Sequence, residues 1–316
     1  MTMGKIFPGW SDPYFLPYAK LVVALLLVFA VVLSVMRCFS RTREPGRKVW
    51  VSFSPWFVMA PVIFLTVGAA REIFVVALCL LSIVSVKEFA RATGLYKDWG
   101  FMAAVYGGVA GFYFSALVGW YGLFMAMPVY SVAVIMMIPA LRNDYQGMIQ
   151  KVGLSIMALV YFGWFPSHLA FLKGHPHGIA YILFLVIGTE WNDASAYTFG
   201  KMFGRTPLIS NISPKKTVGG ALGSLAAVCL YVWGVRHWLP DFTPFLLVLS
   251  VVILWVGGTI GDLVISFVKR DIGIKDMGAL IPGHGGLLDR VDSLIFVSPL
   301  FFHMVTHYVK FPGGLP

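Results

Sequence analysis

Leu21–Met36 reads LVVALLLVFAVVLSVM, an uncharged run that belongs to the first of ten apolar stretches along the chain. About 20 mostly apolar residues make a helix long enough to cross a bilayer, and a helix satisfies its own backbone polar groups there. The ten stretches lie at approximately 18–36, 51–70, 72–87, 101–120, 121–141, 152–171, 178–199, 218–238, 243–268 and 291–309. The break at 120/121 is weakly marked, and without a turn there the count is nine. Hydrophobic residues make up 59% of the 316 positions, against roughly 45–50% in soluble domains. The expected fold is therefore an all-α polytopic integral membrane protein. It forms a single domain of nine or ten spans, with N-terminal spans over 1–190 and C-terminal spans and polar loops over 191–316.

The formal net charge of +10 raises nucleic acid or acidic lipid as partners, and its distribution decides between them. With the N-terminus outside, the loops after odd-numbered spans face the cytoplasm. They hold Arg37, Arg41, Arg43, Arg47, Lys48, Lys87, Arg91, Lys97, Arg142, Lys151, Lys201, Arg205, Lys215, Lys216, Lys269, Arg270, Lys275 and Arg290, which is 18 of the 24 basic residues. That asymmetry is the positive-inside pattern, and no arginine-rich stripe interleaved with aromatics points to nucleic acid. Cys38, Cys79 and Cys229 have no metal-ligand spacing and read as small buried hydrophobes. The first span lacks a basic lead and a small-residue cleavage site and is read as retained, with Gly9–Lys20 as an interfacial lead-in.

Three polar stretches interrupt the apolar pattern. Arg37–Lys48 reads as a solvated basic turn at the inner leaflet; the other two mix acids, bases, serines and glycines. In the C-terminal one, Asp262 sits inside the apolar run 245–268, where a carboxylate usually faces a wet cavity, a cation or a basic partner. Asp262 and Ser266 are helical i,i+4 neighbours, and Lys269 and Arg270 follow one turn on. Gly257, Gly258 and Gly261 beside Asp262 permit close approach of another backbone or a ligand. The turn Pro282-Gly283-His284-Gly285-Gly286 can present backbone N–H groups to an anion. His284 is read either as a base or metal ligand, or as a donor that holds the turn. Asp289 and Asp292 then share a helical face, with Arg290 beside them. Carboxylates for Mg²⁺, cations for phosphates and a glycine turn are the components of metal-assisted phosphoryl chemistry. A purely structural Asp–base pair is the competing reading of Asp262.

The middle stretch, TEWNDASAYTFGKMFGRTPLISNISPKKTVGG, carries Asp193 and Tyr197 at i,i+4, then Lys201, Arg205 and Ser213-Pro214-Lys215-Lys216-Thr217. Paired lysines before a helix starting near Gly219 make a phosphate grip at a helix N-terminus; ordinary cytoplasmic-side positive charge is the alternative. His168, His175, His177, His237, His303 and His307 are read as structural or interfacial.

The run Ser266-x-x-Lys269-Arg270-x₄-Lys275-Asp276, then Pro282-x-His284-Gly285-Gly286-x-x-Asp289-Arg290-x-Asp292, resembles the signature of the CTP:phosphatidate cytidylyltransferases. The stretches Asp193-x-x-Ala196-Tyr197-x-x-Gly200-Lys201 and Ser213–Thr217 are similar to a second motif of that family. The resemblance covers about Asn192–Ser293. It departs from the family at Val218-Gly219-Gly220, where an aromatic residue, Glu and Gly are usual, so glycine stands at the acidic position.

The resemblance implies transfer of CMP from CTP to phosphatidic acid, giving CDP-diacylglycerol and pyrophosphate. It implies Mg²⁺, with a second metal or a monovalent cation as an option, and a homodimer. Asp262 and Asp289 are the first choice as metal ligands, and Asp292 is the next. Ser266, Lys269 and Arg270 are expected at phosphate groups, assisted by Lys275, Arg290 and His284. Ser213, Lys215, Lys216, Thr217, Gly283, Gly285 and Gly286 are expected at the triphosphate or the lipid headgroup, and Asp193 and Tyr197 either near the ribose or behind the residues that touch the substrates. Three other readings compete: a paralogue acting on another phosphorylated lipid, raised by Gly219; a cation-coupled transporter using Asp262 and Asp193; and a catalytically dead scaffold in a lipid-synthesis assembly. No inverted repeat supports the transporter.

Overall fold

A computed structural model describes residues 6–38, 50, 54–278 and 285–309. Among the described residues ten helices follow one another: α1 Phe15–Cys38, α2 Trp56–Gly68, α3 Arg71–Thr93, α4 Trp99–Val118, α5 Tyr121–Arg142, α6 Met148–Leu172, α7 Gly178–Phe203, α8 Val218–Val235, α9 Pro244–Asp271 and α10 Leu288–Tyr308. The only sheet among the described residues is a hairpin, β1 Pro207–Ile209 against β2 Ser213–Thr217, antiparallel with a register shift. Seven helices among these residues (α1, α3, α4, α5, α6, α8 and α9) are long and apolar enough to cross a membrane. Helix α2 has only 13 residues, while α7 carries Glu190 and Asp193 near its middle and α10 carries Asp289 and Asp292 at its start. The protein is an all-α polytopic membrane protein.

The weak break at 120/121 is a true turn. Gly119 takes a left-handed φ of 73°, and the Gly119 and Trp120 N–H groups bond back to Ala116 and Ser115, the glycine helix stop. Helices α4 and α5 are therefore two elements.

Helix α7 forms the centre. From Ala180 to Thr189 every residue is buried, including Tyr181, Leu183, Phe184 and Leu185. A helix apolar on all sides is placed among other helices rather than against lipid or water. It packs most extensively on α8, with α10 and α9 on other sides. By contrast Leu222, Leu230 and Trp233 of α8 and Val252, Val256 and Ile260 of α9 are exposed, as side chains facing lipid would be. Cys229 is exposed on α8 and Cys79 is partly exposed, which corrects the reading of these two as buried; the Cys38 side chain lies outside the described residues. His168 is fully buried, packed edge-on against Phe124 and Phe302.

Polar ties sort the loops onto two ends of the bundle. At one end the Arg142 guanidinium and Lys151 hold Asp98 at 2.9 and 3.0 Å, joining the α3–α4 and α5–α6 connections. At the other, Arg71 donates to the Ala116 carbonyl at 2.7 Å, Tyr181 donates to Pro240 at 2.8 Å and Lys173 donates to Val67. The ladder widens to π geometry at Ala158–Trp164 in α6, just ahead of Pro166, which has no N–H to return. A second π stretch, Ile253–Gly257, leads into the glycines before Asp262.

Candidate functional site

The polar half of α7, the hairpin, the start of α8 and the middle of α9 enclose a cavity of about 210 Å³. Asp193, Tyr197, Ser213, Lys215, Lys216, Thr217 and Asp262 all line it, so the two sequence constellations meet in space. Helical spacing delivers Asp262 next to Ser266, whose Oγ donates to Oδ1 at 3.2 Å. The other oxygen, Oδ2, takes the Lys216 ammonium at 2.8 Å, and Lys216 reaches on to the Thr259 carbonyl at 3.4 Å. Lys216 thus neutralises a carboxylate, while Lys215 stands exposed at the cavity rim. Thr217 caps α8 by accepting from the Gly220 N–H at 3.1 Å. Lys201 lies over the Tyr197 ring at 4.6 Å.

The glycines of α9 have identifiable neighbours. A methyl added at Gly261 would lie 2.8 Å from the Ser293 Cα and 2.9 Å from the Asp292 carbonyl, and one at Gly258 would lie 3.0 Å from the Asn192 amide. Close packing of α9 on α10 and α7 therefore needs bare backbone there, and it brings Asp262 beside the turn that carries Asp292. Ser293 fastens the crossing by donating to the Gly258 carbonyl at 3.0 Å. Asp292 accepts from the Ser293 N–H at 2.8 Å. Asp292 lies near enough to Asp262 and Asp193 to feel the charge of both, and Asp193 near enough to feel that of Asp262.

A second carboxylate–lysine pair lies at the join of α9 and α10. Asp289 Oδ1 holds Lys269 at 2.8 Å, while Oδ2 accepts from the Met277 and Gly286 N–H groups, each at 2.9 Å. Its side chain is only 6% exposed, so this carboxylate is fully engaged inside the protein. Gly285 has φ +83°, and a Cβ there would meet Asp289 Oδ2 at 2.8 Å. Lys269 and Arg270 diverge from the face shared by Asp262 and Ser266. Lys269 turns to α10, and Arg270 is exposed and donates to the Ile212 carbonyl of the hairpin at 3.3 Å. Lys275 is exposed. Arg290 makes polar or electrostatic contacts on the first turn of α10. Pro282, Gly283 and His284 lie outside the described residues.

Among the described residues no three His, Cys, Asp or Glu side chains converge on one point. Mg²⁺ is ordinarily held by one or two carboxylates, with substrate phosphates and water completing its shell. Asp262, Asp289 and Asp292 are hard oxygen donors of that class. Asp262 and Asp292, which lie near one another, fit the ion by donor chemistry, whereas the oxygens of Asp289 are taken by Lys269 and two amides.

Two residues outside both motifs reach this region. Glu88 of α3 bonds the first turn of α10, with Oε1 accepting from Leu287 N–H at 3.0 Å and Oε2 from Leu288 N–H at 2.9 Å. Tyr161, in the π stretch of α6, points its hydroxyl at the Gly261 carbonyl, 3.5 Å away. The only signal for either in the sequence is a polar side chain within an apolar run. Gly219, the departure from the family pattern, lies against the end of α7; a Cβ there would be 2.8 Å from the Phe203 carbonyl oxygen.

Comparison with known proteins follows the same lines. The profile of the Cytidylyltransferase family matches residues 50–308. The chain is 28% identical over 293 residues to the uncharacterized protein YnbB of Escherichia coli (strain K12), covering 89% of this chain and 95% of that one. It is 43% identical over 148 residues to a phosphatidate cytidylyltransferase of Synechocystis, covering 45% of this chain and 49% of the relative. A phosphatidate cytidylyltransferase of Mycobacterium leprae is 39% identical over 149 residues, covering 45% and 46%. The match thus spans about half the length of the relatives that carry that name. With most of its length under one family profile, the chain belongs to the cytidylyltransferase family.

Proposed function

We propose that the protein transfers CMP from CTP to the phosphate of phosphatidic acid, releasing pyrophosphate, at the cytoplasmic face of a bacterial plasma membrane. The observation that carries the reading is the meeting of Asp193, Lys215, Lys216 and Asp262 around one cavity, at the end of helices that otherwise suit lipid. Such a place admits a lipid phosphate from the bilayer and a nucleotide from water. The excess of basic residues in the loops at this end supports its cytoplasmic orientation, and the relatives named for this reaction are bacterial.

A phosphate monoester is already an anionic nucleophile, so the protein's task is positioning and charge neutralisation. A phosphate oxygen of the lipid attacks the α-phosphorus of CTP, and the bond to the bridging oxygen of pyrophosphate breaks. Asp262 and Asp292 would hold Mg²⁺, which supplies charge stabilisation to the phosphates when bound, and Asp289 would join them only on releasing Lys269. Lys216 and Lys269, now on Asp262 and Asp289, are the cations nearest to pass to phosphate oxygens. Ser266, Arg270, Lys275 and Arg290 extend the grip; Lys215 at the rim meets the incoming anion, and Asp193 and Tyr197 border the nucleotide.

Purified protein in detergent, given CTP, Mg²⁺ and phosphatidic acid, should form CDP-diacylglycerol and pyrophosphate together. Absence of both products refutes the reading. A second reading, another phosphorylated lipid as acceptor, is favoured by Gly219, where no acidic side chain is available to the substrate. A panel of lipid phosphates with labelled CTP separates the two.

A further inference from the structure

We propose that Glu88 of α3 is a positioning residue for the reaction site, holding in place the backbone that fixes Asp289 and Lys269. The first turn of α10 has orphan N–H groups that need acceptors, and Leu287 at its N-cap has no side chain able to supply one. The acceptors come from α3, 199 and 200 residues away: both Glu88 oxygens bond amides of this turn, at 3.0 and 2.9 Å. Glu88 is 9% exposed. A buried carboxylate is well satisfied at a helix N-terminus, where amide dipoles converge.

The same carboxylate supports two glycines. A Cβ at Gly278 would lie 2.7 Å from Oε1, and one at Gly286 would lie 2.5 Å from Oε2. Gly286 N–H and Met277 N–H, the latter next to Gly278, are the two amides that hold Asp289 Oδ2. Asp289 in turn holds Lys269. The chain of contact therefore runs from Glu88 through the backbone at 277–278 and 286–288 to Asp289, and then to an ammonium proposed for phosphate. A residue needed only for stability would leave turnover of the folded protein unchanged, whereas loss of a positioning residue slows it. A displacement of about 1 Å at a reacting centre costs on the order of 10²-fold in rate.

This inference rests on the proposed CMP transfer, so its test has an arm independent of activity. Wild type, Glu88→Gln, Glu88→Asp and Gly278→Ala are purified in detergent. Hydrogen exchange at 286–288 is followed by mass spectrometry, alongside kcat and KM for CTP and phosphatidic acid. Glu88→Gln, which can accept with one atom only, should speed exchange at 286–288 and lower kcat on the order of 10²-fold, with KM changed much less. Glu88→Asp should recover part of both. Gly278→Ala presses on the carboxylate without altering α3 and should reproduce the defect, which keeps the proposal testable if Glu88→Gln fails to fold. Wild-type kcat in folded Glu88→Gln, or unchanged exchange at 286–288, overturns the proposal. A wild type inactive on these substrates refutes the CMP-transfer reading, and the exchange arm then still decides whether Glu88 holds this backbone.

Discussion

Replacing Asp289 by asparagine removes one charge at nearly constant shape, and the geometry sets the cost. The carboxylate makes three bonds: to the Lys269 ammonium at 2.8 Å and to two backbone amides at 2.9 Å. An asparagine offers one oxygen and one NH₂. If its oxygen faces the amides, the NH₂ meets the ammonium; if it is turned round, the NH₂ meets two N–H donors. Either way at least one charge-assisted bond is lost, worth about 1.5–3 kcal/mol. Lys269, only 16% exposed, loses its counter-charge as well. Breaking one side of a buried pair costs about 3–5 kcal/mol. At roughly 2 °C per kcal/mol for a large chain, Asp289→Asn should melt about 6–10 °C below wild type in the same detergent. Lys269→Met leaves the two amide bonds intact and should cost less. The double variant should show a coupling of about 0.5–3 kcal/mol, because the two changes remove one shared interaction. An Asp289→Asn melting point equal to wild type, or strictly additive losses, refutes this account of the pair.

Lys216→Met should leave Asp262 without its ammonium and lower CMP transfer on the order of 10²–10³-fold, as for loss of an electrostatic donor; turnover against CTP checks it. Thr217→Ala removes the cap of α8 and should cost about 1 kcal/mol of stability, read as a small fall in melting temperature. Asp98 gives a pH signature: Arg142 bonded to it, aided by Lys151, lowers its pKa from the ordinary 3.8 to about 2. A lowered folded-state pKa adds stability that is full above the ordinary value and lost as pH falls through the folded one. The melting difference between wild type and Asp98→Asn should therefore be constant from neutral pH down to about 5 and shrink between about 4 and 2; a difference that shrinks instead between pH 7 and 5 contradicts it.

Local spacing makes much of this legible in the sequence alone. The apolar runs mark where the helices lie, and the i,i+4 rule delivers the Ser266–Asp262 bond. The glycines before Asp262 announce a close crossing, although only the packing shows that the Asp292–Ser293 backbone fills it. Long-range choices were not readable. Lys269 lies one helical turn from Ser266 yet bonds Asp289 across the next loop, because its stem can swing toward either neighbour. Nothing near Glu88 in the sequence names partners 200 residues on. The hairpin also escaped, since Pro207–Ile209 and Ser213–Thr217 are too short for a period of two to stand out.

The tight seat of Gly219 against the Phe203 carbonyl has an evolutionary side. Any side chain there would have to be preceded or accompanied by a change that moves the end of α7 away, so the acidic residue usual at this position is not one substitution from being regained. Lineages descending from this sequence would have to change neighbouring positions first.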